Sequence, residues 1–114
     1  MIDPAAVERL RKLGGDELIA RMIELFFSYA EPKVALARAS LEAGELEAAG
    51  RAAHSLKSSA GNLGAQELAL VSGDVEAAAL KQDGTEVLRL LEDLESAFAR
   101  AKARLEELRR GLAK

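Results

Sequence analysis

The chain contains one histidine, His54, set in Ala53-His54-Ser55-Leu56-Lys57-Ser58-Ser59. An imidazole near neutral pH can serve as nucleophile or metal ligand. The metal role lacks support, because no second His and no Cys exists to complete a nitrogen or sulfur site. What remains is nucleophilic chemistry or an idle surface histidine. On a helix, Lys57 and Ser58 fall on the face of His54, at i+3 and i+4. Gly50 lies at i−4, Gly61 at i+7, and Arg51 and Glu47 at i−3 and i−7. A nucleophile with a cation beside it and small neighbours suits a side chain that another macromolecule must reach. Gly50, Arg51, Ser58 and Gly61 are therefore the expected access and docking positions, with Lys57 as electrostatic support.

The elements that must hold this cluster follow from hydrophobic spacing. Leu46, Ala49, Ala53, Leu56, Ala60 and Leu63 recur at 3-4-3-4-3, a seam facing a core, and His54 stands one position off it. This predicts a helix over about 45–63, closed by Gly64 in a left-handed position. Upstream, Asp3-Pro4 reads as an N-cap followed by Pro at N1, opening a short helix that Gly14-Gly15 ends. Asp16 can cap a second helix, about 17–30, with Ile19, Met22, Ile23, Phe26 and Tyr29 at helical spacing. Leu18 and Leu25 widen its stripe, so cover on two sides is expected. Pro32 predicts a boundary or kink at Glu31-Pro32, then a helix over about 32–43 stopped by Gly44. Leu68, Val71, Val75 and Ala78 mark a helix over about 65–81. After Asp83-Gly84, Thr85 caps a last helix over about 86–112, roughly 40 Å long. Its seam is Val87, Leu91, Leu94, Phe98, Ala101, Leu105, Leu108 and Leu112.

Short loops force antiparallel neighbours. The expected fold is all-α: an up-down four-helix bundle over about 32–112, flanked by one or two N-terminal helices over about 4–30, all in one domain of 114 residues. The last turns of the long helix should pack on the N-terminal helices.

Composition narrows the function. Sixteen basic and nineteen acidic residues, interspersed, give a net charge of −3, which argues against nucleic acid as the main partner. Aromatics make up 4%, too few for base-stacking platforms. Gly14-Gly15 is a helix terminator, and no GxxxxGK[ST] loop is present, so no ATP binding is expected. No long apolar run or secretory leader is visible, so a cytoplasmic protein without a membrane segment is expected. Its compact length and initial Met favour a free-standing protein.

The run from Ala53 to Ala65 resembles the signature of histidine-containing phosphotransfer (HPt) domains, in which Ala-His-x-Leu-Lys-Gly/Ser is followed by a Gly-Ala exit. Ala53, His54, Leu56, Lys57, Ser58, Gly64 and Ala65 match. Ser58 stands where many members carry Gly. The length, the helix order, the Asp-Pro opening and the long final helix fit the same family.

The resemblance implies a phosphocarrier in a two-component phosphorelay, not an enzyme. His54 Nε2 would take a phosphoryl group from a receiver-domain aspartyl phosphate and relay it to another response regulator. Lys57 would face the phosphoryl charge. The implied partners are response-regulator receiver domains and a sensor or hybrid histidine kinase. No cofactor is expected on this chain, and Mg²⁺ is expected on the partner receiver. A monomer is expected, since the long seam is consumed inside the bundle. The competing reading is a non-catalytic helical scaffold that binds receiver or kinase domains.

Overall fold

A computed structural model describes residues 2–112, so Met1, Ala113 and Lys114, the ends of the expected domain, lie outside the described residues. Four helices follow one another among the described residues: α1 (Pro4–Glu42), α2 (Leu46–Asn62), α3 (Gln66–Leu80) and α4 (Gly84–Leu112). Each packs on its neighbours in chain order, and α4 closes the ring against α1. The result is the up-down bundle that the short loops demand. The molecule is 45 Å along its longest axis, matching the 29 residues of α4 at about 1.5 Å each.

The seams behave as their spacing requires. Ala49, Ala53, Leu56, Ala60 and Leu63 are buried, as are Val87, Leu91, Leu94, Ala101 and Leu105, with Phe26 between the helices. Phe26 meets Phe98 in a tilted pair at 6.3 Å between ring centroids. Bidentate pairs of Arg38 with Glu95 and of Arg100 with Glu67 tie α4 to α1 and to α3.

The N-terminal third departs from expectation. The helix end expected at Gly14-Gly15 is present, but the boundary expected at Glu31-Pro32 is not, so the residues of both N-terminal helices and of 32–43 lie in one element, α1, with a kink inside it. Helical geometry breaks inside it at Gly15, with φ 71° and ψ −165°. A glycine turns the chain there without a Cβ penalty, and the helix resumes at once. Asp16 is paired with Arg11 across that bend. Pro32 does not end a helix. It lies on the exposed side of α1, as does Ser28, the residue whose carbonyl loses its helical partner to the proline. Nor is α1 covered on two sides: Leu25 and Tyr29 remain 52% and 45% exposed. The cap of α4 is Asp83, whose carboxylate accepts from the Glu86 N–H, rather than Thr85.

The first turns of α1 fold back over the end of the bundle. Asp3 caps the helix by accepting from the Ala5 N–H, with Pro4 at its start. The Asp3 N–H donates to the Gly64 carbonyl at 2.8 Å, and Ile2 bridges to Ala65. Val7 and Leu108 line a shared groove, so the end of α4 does meet this segment. Among the described residues, no helix is long and apolar enough to cross a membrane.

Gly64 joins these parts. It has φ +75°, and a Cβ there would sit 2.8 Å from Ala6 Cβ and 3.0 Å from Asp3 N. Gly64→Ala should therefore destabilise the protein by about 2 kcal/mol, combining backbone strain with displacement of the N-terminal turn. Urea unfolding of parent and variant would check this, with an unchanged midpoint as the contrary result.

Candidate functional site

α2 is amphipathic because small apolar residues fill its seam and polar ones the rest. His54 lies at its midpoint, on the rim between the buried seam and solvent, with 58% of its side chain exposed. The adjacent face belongs to α3, which runs antiparallel. Three contacts, each about one turn from the next, link the two helices. At the first, Gly50 admits Ala79: a Cβ on residue 50 would sit 2.8 Å from Ala79 Cβ. At the second, His54 meets Glu76. At the third, the Lys57 stem passes over Gly73.

Glu76 is the centre of the cluster. One carboxylate oxygen, Oε2, lies 2.7 Å from His54 Nδ1, and the other, Oε1, accepts from Lys57 Nζ at 3.0 Å. Its side chain is only 25% exposed, so water screens these contacts less than on an open surface. The carboxyl is held below the usual glutamate range. The Lys57 hydrogen bond is the main cause and the His54 hydrogen bond adds to it, while burial opposes both.

The ring chemistry follows. An ionised carboxylate only accepts hydrogen bonds, so His54 Nδ1 carries the hydrogen in this pair. In neutral imidazole the lone pair then resides on Nε2. Nε2 has no protein hydrogen-bond partner among the described residues. An exposed nitrogen with a free lone pair is thereby oriented by a partly buried anion. When such a nitrogen attacks an electrophile, positive charge grows on the ring, and the carboxylate beside Nδ1 is placed to offset it.

The expected site residues occupy different roles. Lys57 is with His54, through Glu76. Arg51 is exposed, pairs with Glu47 at 3.0 Å, and sits on the rim of a groove of about 480 Å³. Gly50, His54, Glu76, Ala79 and Leu80 also line this groove, and Leu80 is 80% exposed. Gly50 is buried, so its small size serves the approach of α3. Ser58 is exposed beyond Lys57, and Gly61 faces open space. Ser59 turns its hydroxyl back to the carbonyls of Ser55 and Leu56. Among the described residues, no group of three His, Cys, Asp or Glu side chains is placed to hold a metal ion.

Glu76, Gly73 and Leu80 were not singled out in the sequence. A signal for Glu76 existed. It lies one position beyond the seam residue Val75, as His54 lies one beyond Ala53. A polar residue flanking the seam of an antiparallel neighbour is where a partner for His54 must come from.

Comparison with known proteins bears on this arrangement. A search of curated proteins finds no match. The chain is similar to the crystal structure of histidine-containing phosphotransfer protein B (HptB) from Pseudomonas aeruginosa PAO1, at 26% identity and a TM-score of 0.89, over 96% of this chain and 94% of that one. The Hpt domain family matches residues 21–111, which include α2, α3 and the whole His54 cluster. The chain belongs to the Hpt domain family, the histidine phosphotransfer proteins of phosphorelays.

Proposed function

We propose that His54 is the phosphoryl acceptor and donor of this chain, with Nε2 as the reacting atom. The observation that supports this most is the Nδ1–Glu76 contact at 2.7 Å, which leaves the Nε2 lone pair facing solvent at the edge of a groove. Nε2 attacks the phosphorus of a receiver's aspartyl phosphate. The N–P bond forms, the P–O bond to the aspartyl oxygen breaks, and the aspartate leaves as a carboxylate. The reverse step loads the next regulator. Such transfer depends chiefly on positioning and charge stabilisation, which a rigid helix, one anion and one cation can supply.

Lys57 offers its ammonium to the phosphoryl oxygens while remaining within reach of Glu76. The Mg²⁺ that neutralises the acyl phosphate is supplied by the receiver's own acidic pocket. This chain binds no ATP and does not phosphorylate itself. It acts as a cytoplasmic monomer between a sensor or hybrid kinase and receiver domains. The receiver docks over the groove of α2 and α3, with Leu80 as an apolar contact and Arg51 at the rim.

The deciding experiment is transfer from a panel of phosphorylated receivers in Mg²⁺, scoring acid-labile, base-stable label. The parent should label, and His54→Gln should fall to background. Equal labelling of both would remove His54 from the mechanism. Retained binding with no label on the parent would favour the scaffold reading.

Glu76→Gln keeps a hydrogen-bond acceptor but removes the charge that offsets the ring. Transfer should slow about tenfold, the scale of one charge-assisted hydrogen bond. The pH dependence of stability has a definite sign. Glu76 is depressed in the folded state, so its stabilising contribution is complete above the usual glutamate range and is lost as pH falls through the lower folded value. The stability difference between parent and Glu76→Gln should thus shrink as pH falls below about 5. Chemical unfolding between about pH 2 and 5 reads it directly, and a gap that widens on acidification across that range would contradict the assignment.

For docking, Arg51→Glu should weaken receiver binding about tenfold, whereas Glu107→Lys, in the groove at the far end of the bundle, should change it less than about twofold. Titration calorimetry with one receiver compares them, and equal effects would move the footprint elsewhere.

A further inference from the structure

Gly73 lies inside α3, where a glycine weakens the helix relative to alanine. Its backbone does not call for glycine, since the positive-φ glycines are Gly15, Gly44 and Gly64. What remains is the missing side chain. A Cβ built on residue 73 would meet one neighbour within 4 Å, the Lys57 side chain, with Cδ at 3.3 Å. Gly61, also helical, faces nothing within that distance. So the bare backbone at residue 73 lies where the aliphatic stem of Lys57 crosses from α2 to α3. One turn further along α3, the ammonium of that stem reaches Glu76 at 3.0 Å.

We infer that Gly73 is a positioning residue for the phosphotransfer site: its bare backbone is the track along which Lys57 reaches Glu76, and residue 73 sets how firmly the cation is held beside His54. This rests on the reading of His54 as the phosphoryl acceptor. Lys57 holds its ammonium near the ring only if its stem lies flat across α3. A methyl at residue 73 presses on the middle of a flexible chain, which can yield by a few tenths of an ångström. A branched side chain leaves no such path, and the ammonium swings into solvent. Glu76 then keeps His54 but loses its cation, and the phosphoryl group on Nε2 faces an unneutralised carboxylate.

The test uses the full chain with Gly73→Ala, Gly73→Leu and Lys57→Ala. Carbon-13 NMR follows titration of the Glu76 carboxyl in the unphosphorylated protein, and thermal melting reports stability. Gly73→Ala should raise the melting temperature, as alanine does in a helix, while moving the Glu76 midpoint slightly upward. Gly73→Leu should move that midpoint up to the value found in Lys57→Ala, and slow transfer by the same factor as Lys57→Ala, about three- to tenfold. In the Lys57→Ala background, Gly73→Leu should shift the midpoint no further. A parent-like midpoint in folded Gly73→Leu would overturn the inference, as would an equal shift in both backgrounds. If the leucine variant does not fold, a Gly73→Ala midpoint identical to the parent's is the overturning result. The titration needs no phosphotransfer. A parent that accepts no label from any receiver would therefore sink the phosphoacceptor reading and leave this comparison intact.

Discussion

The close approach of α2 and α3 is the constraint on which the site depends. Gly50 and Ala79 leave no room between the helices, and a single added methyl at residue 50 would force them apart. Interiors packed at this density transmit such displacements rather than absorb them. Because the helices are rigid and antiparallel, contact at Gly50 fixes what lies opposite one turn on, and opposite the turn after that. His54 meets Glu76 and Lys57 crosses Gly73 for this reason. Burial of the apolar seams supplies the driving force for the bundle, but the small residues decide the register in which it locks.

Glu76 does the electrostatic work that this register makes possible. A carboxylate on the open surface contributes little to a neighbouring ring, because water screens it. Three-quarters buried between two helices, it acts on His54 and on Lys57 at once. Its bond to Nδ1 orients the imidazole and chooses which nitrogen is free. Its bond to Lys57 keeps a cation near without placing that cation directly on His54. Burial of Glu76 is tolerated because both of its oxygens are paired, and that pairing also keeps it ionised.

The ends of the bundle show a second use of backbone freedom. At Gly64 a positive φ turns the chain between α2 and α3 and at the same time leaves space for Asp3 and Ala6. The N-terminal turn of α1 can then hydrogen-bond to that loop and cover the end of the core. At Gly15 the non-helical backbone kinks α1 between its two helical stretches. Both glycines read as helix terminators from local rules, and both interrupt helical geometry: Gly64 follows the end of α2, and Gly15 separates the two stretches of α1.

Local physics made much of the protein readable in its residue order. The 3-4 spacing of Leu, Ala and Val identified which face of α2 and α4 is buried, so His54 could be placed at the rim of a core with Lys57 beside it. Asp3-Pro4, Gly44 and Gly64 acted within a few residues and could be read as caps and stops. Where burial by a distant helix decides the outcome, reading failed: Tyr29 and Leu25 fit the α1 stripe yet stay exposed, because no other element among the described residues covers them, and Pro32 sits inside a helix because its face happens to meet solvent. The partner of His54 belongs to the same class. Sequence by itself determined that a nucleophile stands on an exposed helical face beside a cation, since spacing along one helix sets that geometry. Only the tertiary structure decided that Glu76 orients its ring and that Gly73 carries the Lys57 stem, since the register between two helices is set by side-chain volumes far apart in the chain, such as Gly50 and Ala79, that no local rule connects.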